Sequence, residues 1–299
     1  MKTVELLDGI YMIDNSYNSV FIIEGSEKSA IIETAYPSEF NSIRRGFKRL
    51  NKKIENFDLI IGTHIHLDHF GAVGHFLEVN SSLQVVIHPK GVRHLIDPTR
   101  LNKSAKKALG DRYSFVGEMK PVNPQKILDI NNGSKIDLGD RELQIIYTPG
   151  HAKHHIIIYD NKSKAIFTGD SLANIIPNYP IMIVTPPPDY NFEQAINSVQ
   201  KIKSLNPQYL IQTHASLVSV DKNKEIFEIV LEQHKKWLQF VEKIVNKGLN
   251  PVKNEFSTIF KEENPLNFTQ KEIEKCLKKY SHVPFMNYMG IRRYLMKSS

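Results

Sequence analysis

Apolar positions along the chain first recur at strand spacing. Residues 4–13 read as one strand, and residues 19–24 and 29–34 as a hairpin around Glu24-Gly25-Ser26-Glu27-Lys28, with Ile, Val and Phe filling both arms. Pro37 then opens a helical pattern in which Phe40, Ile43, Phe47 and Leu50 share one stripe. A short buried strand at 57–62, a helix over about 70–79 and a strand at Leu83–His88, stopped by Pro89, follow. Strands alternating with helices predict a mixed or parallel sheet covered by helices.

Lysines, glycines and prolines break up residues 97–126, which read as a linker with one short helix near 102–109. After the turn signal Asn131-Asn132-Gly133, strands return at 134–138, 141–147, 155–160 and 164–168, with Asp160-Asn161-Lys162-Ser163 as a hairpin turn. Five prolines stiffen a long loop at 171–190. A helix at 191–204 (Phe192, Ile196, Val199, Ile202) and a strand at 208–213 come next. The last stretch is helical, with a stripe through Ile226, Ile229, Val230, Gln233, Trp237, Phe240 and Ile244 over 222–246 and a second helix at about 269–280.

Four of these strands end in metal-competent side chains. Strand 57–62 runs into Thr63-His64-Ile65-His66-Leu67-Asp68-His69, and strand 141–147 into Thr148-Pro149-Gly150-His151. Strand 164–168 runs into Gly169-Asp170-Ser171, and the strand from 208 into Gln212-Thr213-His214. The carboxyl ends of strands in α/β sheets are where sites assemble. Imidazole and carboxylate together suit zinc, iron or manganese. If 63–67 leaves its strand extended, His64 and His66 point to one side, and a turn after Leu67 returns Asp68 and His69 to it. His75, His94, His234 and His282 stand alone and read as surface or core residues, and His88 before Pro89 as structural.

Composition acts by exclusion. The 299 residues are 41% hydrophobic and 24% charged, ordinary for a globular chain. The formal charge of +7 is spread among neighbouring acids, as in Lys261-Glu262-Glu263, and reads as a solvated mixed surface rather than a nucleic-acid face. The single Cys276 excludes an intrachain disulfide and a cysteine-built metal site, and fits a cytoplasmic location. Acids interrupt the N-terminus too early for a secretory signal, and no run of about 18 apolar residues offers a membrane span.

The pattern His64-Ile65-His66-Leu67-Asp68-His69, then His151, Asp170 and His214, resembles the ligand set of the metallo-β-lactamase superfamily. The intervals of 82, 19 and 44 residues after His69, and the flanking words Thr-Pro-Gly-His and Thr-Gly-Asp-Ser, are similar as well. The likeness covers roughly residues 1–220. It implies an α/β fold, an αββα four-layer sandwich, with a catalytic domain at 1–220 and a helical extension at 221–299 packed on it. Carried over residue by residue, it implies that His64, His66 and His151 bind a first metal. Asp68, His69 and His214 would bind a second, with Asp170 bridging. The cofactors implied are two divalent ions, zinc first, with iron or manganese as alternatives. A metal-bridging hydroxide would attack a small ester, thioester or lactone, with Asp68 orienting it.

Asp170 argues against the antibiotic-cleaving members, which generally lack it, and for the glyoxalase II-like and lactonase-like branch. Phosphodiesterase-like members keep that Asp too. Only 44 residues separate Asp170 from His214 and residues 97–126 make no clamp arm, which argues against the nuclease members. A phosphodiesterase or nuclease of the same fold stays an alternative. A mononuclear iron sulfur dioxygenase, using His64, His151 and Asp170 alone, is the alternative from another class. His155 stands where the family places a Ser or His and is expected to support the metal ligands. His154 departs from the family's Gly and is expected to face solvent. Tyr179, in the Pro-rich segment 176–190, is a candidate substrate contact. The expected partners are a small-molecule substrate and, through the tail, a second copy of the chain; neither nucleic acid nor membrane is expected.

Overall fold

A computed structural model of the chain describes residues 1–15, 18–175, 179–214, 217–222, 225–279 and 282–298. The expected first strand is two strands, β1 (Lys2–Leu7) and β2 (Ile10–Asp14), because the chain turns at Asp8-Gly9, where Gly9 takes φ of 69°. The hairpin β3 (Ser19–Glu24) and β4 (Ser29–Ile32) follows, then helix α1 (Phe40–Arg49) and β5 (Leu59–Ile61). The expected helix at 70–79 is a short turn α2 (Leu67–Phe70) and α3 (Val73–Val79), ahead of β6 (Gln84–Val86).

Pro89 does more than stop a strand. It is the first residue of α4 (Pro89–Ile96), capped by His88, whose Nδ1 accepts the Lys90 N–H at 3.0 Å. The expected linker carries α5 (Thr99–Leu109), longer than the sequence indicated. A second series of strands follows: β7 (Lys135–Asp137), β8 (Glu142–Tyr147), β9 (Ile156–Asp160) and β10 (Ala165–Phe167). Asp160 Oδ2 accepts from Ser163 at the β9–β10 turn, as expected of a hairpin. Then come α6 (Phe192–Ser204), β11 (Tyr209–Ile211) and β12 (Leu217–Ser219). The C-terminal helices are α7 (Ile226–Asn246), α8 (Lys253–Glu263), α9 (Gln270–Lys279) and α10 (His282–Ser298). Residues 176–178 of the Pro-rich loop, 223–224 of the expected helix 222–246 and residue 280 lie outside the described residues.

By packing, the chain falls into two compact units. The first comprises Met1–Tyr147, Ile156–Gly169 and Gln208–Leu217; the second comprises Thr148–His155, Asp170–Pro207 and Val218–Ser299. One sheet has the order β1-β2-β3-β4-β5-β6, antiparallel as far as β4 and parallel from there. The other runs β12-β11-β10-β9-β8-β7, with β10 and β11 parallel. In the first unit the two sheets share one apolar core. Phe21, Ile23, Ala30, Ile32, Leu59 and Ile61 of the first meet Leu143, Ile145, Ile156, Ile158 and Phe167 of the second. The alternate residues Val20, Ile22, Ile31 and Ile60 face outward, against Ile43 and Phe47 of α1 and Phe76 of α3. Both faces of the sheet are therefore buried, which is why β3 to β5 read as continuous apolar runs rather than alternations. Each such side chain contributes about 1.5–3 kcal/mol on burial.

The second unit is helical around an aromatic centre. Trp237 stacks on Phe260 at 5.4 Å, and Phe256 on Tyr288 at 4.9 Å. These tie α7, α8 and α10 together; the sequence had marked only the α7 stripe. The fold is the expected α/β class, two sheets with helices and a C-terminal helical extension. Among the described residues no helix is long and apolar enough to cross a membrane.

Candidate functional site

In the first unit, two backbone bonds join the ends of strands from different sheets. Ile156 N–H donates to Thr63 O at 2.8 Å, and Ser19 N–H to Thr213 O at 2.9 Å. These bonds pin the residues just before His64 and His214. Beyond β5 and a bend at Thr63 the chain passes through His66 in extended conformation (φ −60°, ψ 147°), just ahead of the first turn of α2. His64 and His66 thus lie on one side, with Nε2 of the first 2.9 Å from Nδ1 of the second. Asp68 and His69 fall in that helical turn and come round to His214. His69 Nε2 is 3.0 Å from His214 Nε2, and Asp68 Oδ2 is 3.5 Å from His214 Nε2 and 3.8 Å from His69 Nε2.

Beneath them lies a carboxylate that the sequence reading did not single out. Glu33 is fully buried, follows β4 directly, and has φ of 65°. Its Oε1 accepts from Thr63 Oγ1 at 2.5 Å, from His69 Nδ1 at 3.0 Å and from Thr213 Oγ1 at 3.3 Å. The hydroxyl proton of Thr63 being directed at Glu33, its oxygen accepts the Nδ1–H of His64 at 3.0 Å. One carboxylate therefore sets two tautomers, leaving Nε2 of both His64 and His69 as the lone-pair nitrogen. Such outer partners orient metal-binding imidazoles and raise their basicity. The available cue was position: an acid placed immediately after an apolar strand, at the end where the other candidates gather.

In the second unit, His151 and Asp170 approach each other, with Nε2 to Oδ2 at 3.4 Å. His151 donates Nδ1–H to Val184 O at 3.0 Å, which again leaves Nε2 as its lone-pair nitrogen. The turn before it is pressed onto α6: a Cβ on Gly150 (φ 142°) would stand 2.5 Å from Ala195 Cα. Only glycine permits that approach. Ser198 Oγ holds Pro149 O at 2.6 Å.

His155 is fully buried and turned to support. Its Nε2 accepts the Asp170 N–H at 3.1 Å, so its Nδ1–H points at Ser171 Oγ, 2.7 Å away. It fixes the backbone of Asp170. His154, expected to face solvent, is buried at 7% exposure. Tyr179 is partly buried, and Lys275 Nζ of α9 lies 5.5 Å from its ring centre.

The isolated histidines are otherwise employed. His234 is buried and shares a hydrogen bond with Tyr190 OH at 2.9 Å, with burial pushing its imidazole down to about 3. His75 packs against Phe40. Among the described residues His75, His88, His94, His234 and His282 join none of the metal-competent groups.

The donor set fits a divalent ion. A tetrahedral ion with bonds of about 2.1 Å spaces its ligand atoms about 3.4 Å apart. The separations of 3.0, 3.5 and 3.8 Å among His69, His214 and Asp68 scatter around that value, as does 3.4 Å between His151 and Asp170.

Comparison with known proteins agrees. A metallo-beta-lactamase fold-containing protein of Sulfurisphaera tokodaii is 29% identical over 208 residues, covering 68% of this chain and 74% of that protein. An acyl-coenzyme A thioesterase of Gallus gallus is 30% identical over 117 residues, 38% of this chain and 40% of the relative. A solved archaeal metallo-beta-lactamase superfamily protein from Sulfolobus tokodaii shares the fold, with a TM-score of 0.67 at 24% identity over 95% of this chain and 98% of that one. Residues 13–214, from the second strand to the last of the candidate histidines, match the family model described as "Metallo-beta-lactamase superfamily", and the chain belongs to that superfamily of metal-binding hydrolases.

Proposed function

We propose that this chain is a dinuclear metal-dependent hydrolase of small thioesters, esters or lactones. In this reading His64, His66 and His151 hold one ion, Asp68, His69 and His214 hold the other, and Asp170 is shared. The observation that carries it is the tautomer set: Thr63, Glu33 and Val184 take the Nδ1–H of His64, His69 and His151 respectively, so three Nε2 lone pairs are prepared for a cation. Zinc is the ion proposed, with iron or manganese as competitors.

Bound there, two divalent ions supply a water of lowered pKa and Lewis acidity toward a scissile carbonyl. The chain's own residues do the rest. Asp170 offsets the charge of the ions, and His155 holds its backbone in place. Asp68, with its side chain 29% exposed, keeps an oxygen accessible to solvent and takes the proton of the attacking water. The resemblance to an acyl-coenzyme A thioesterase supports thioesters as the first substrates to try. Small molecules as substrates, a cytoplasmic location and a homodimer belong to the same proposal.

A panel of acyl thioesters, lactones, phosphodiesters and a chromogenic β-lactam tests it. Thioester or lactone turnover is expected, falling on the order of 10²-fold in Asp170→Asn, the scale of losing one preorganised electrostatic group. Unchanged turnover in that variant would sink the shared-ligand role. Oxygen uptake with a persulfide, at one iron per chain, would overturn hydrolysis in favour of a dioxygenase.

A further inference from the structure

We propose that Asn287 of α10, seconded by Gln233 of α7, is a positioning residue that sets the His151 imidazole through the carbonyl of Val184. The proposal rests on the reading of His151 as a metal ligand. The Nδ1–H of His151 donates to Val184 O at 3.0 Å, a bond that fixes which ring nitrogen carries the proton. Val184 lies in the Pro-rich loop, outside any strand or helix, so the precision of that carbonyl comes from whatever clamps its neighbours.

The clamp is one buried amide. Asn287 Nδ2 donates to Ile183 O at 2.9 Å, and Asn287 Oδ1 accepts from Thr185 N–H at 2.9 Å and Thr185 Oγ1 at 3.1 Å. The side chain thus imitates a rung of a β-ladder on the residues that flank Val184. In an extended segment successive carbonyls point to opposite sides. Holding Ile183 O toward α10 therefore turns Val184 O away from it, toward His151. Gln233 adds to the same grip: its Oε1 accepts from Ile183 N–H at 3.2 Å, and its Nε2 donates to Ile181 O.

Both amides are buried, Asn287 fully. One turn on from Asn287, a Cβ on Gly290 would stand 1.8 Å from Thr185 O, so α10 lies with its backbone directly against the segment. Breaking a buried amide pair leaves polar groups unsatisfied, which makes the clamp stiff. The consequence is that the far C-terminal helix, beyond the matched family region, governs a ligand about 135 residues earlier through a single carbonyl.

Zinc affinity measured by competition with a chromophoric chelator tests this on Asn287→Ala and Gln233→Leu, alongside His151→Ala. In the first two, one of the two zinc ions is expected to bind about 10–100-fold more weakly while the other is unchanged. Wild-type affinity for both ions in Asn287→Ala, with only a lower melting temperature, would show a purely structural amide and overturn the proposal. If His151→Ala itself binds zinc as the wild type does, the ligand reading fails instead, and the proposal with it. Ring nitrogen NMR of the metal-free wild type needs no variant to fold: His151 is expected to be protonated at Nδ1, and protonation at Nε2 overturns the proposal.

Discussion

Glu33 shows how much chemistry a single buried side chain can direct. Three donors converge on its Oε1, and Thr63 N–H approaches Oε2 at 3.4 Å. In Glu33→Gln one carboxylate oxygen becomes an NH₂ group among donors, and the preference of His64 and His69 for Nδ1 protonation is lost. Zinc affinity is expected to fall about 10–100-fold with the fold retained; chelator competition giving wild-type affinity would contradict the tautomer role. Glu33 was illegible in the sequence for a physical reason. A lone Glu has no spacing signal, and its partners Thr63, His69 and Thr213 are 30, 36 and 180 residues away. The histidines of 63–69 were legible because extended and helical periods alone decide which of them share a side. Likewise, His155 could be placed near the candidate ligands from its match to the family, but its grip on the Asp170 backbone required coordinates.

At the scale of elements, most strands and the helices with one clean apolar stripe were readable, and the misses have causes. A single apolar run hid the turn at Asp8-Gly9. Pro89 serves as the first residue of α4, a role that resembles a strand stop from sequence alone. Helices α8 and α10 bury faces against other helices in an aromatic cluster, so their residues show no simple stripe. The α4 cap carries a pH prediction. Burial, then the nearby Lys90 charge, lowers the His88 pKa to about 4, and its Nδ1 accepts the Lys90 N–H. Because the folded value lies below the unfolded one, near 6.5, the cap's contribution is complete above that pH. It is lost progressively as pH falls from there toward about 4, and His234, lowered to about 3 by burial, acts in the same direction. Melting temperature is expected to decline between pH 7 and 5, and less steeply in His88→Asn, which keeps a capping side chain without a titrating group. Equal slopes for the two proteins would exclude His88 as a source of the decline.

At the scale of the whole molecule, where the formal charge is +7, exposed lysines pair with acids, as in Lys120–Glu78 and Lys203–Glu228. Solvent screens such exposed pairs, so they do little to hold the fold. The C-terminal helices bear on function through the proposed clamp on Val184. Activity is also expected to fall below about pH 6, where imidazoles take protons in place of metal, and a flat profile to about pH 4 would contradict metal dependence. A two-metal centre holds a pair of ions, and elemental analysis of the purified protein after dialysis against zinc counts them. About two ions per chain are predicted, as a two-metal site requires; one ion per chain, or none, would contradict the account.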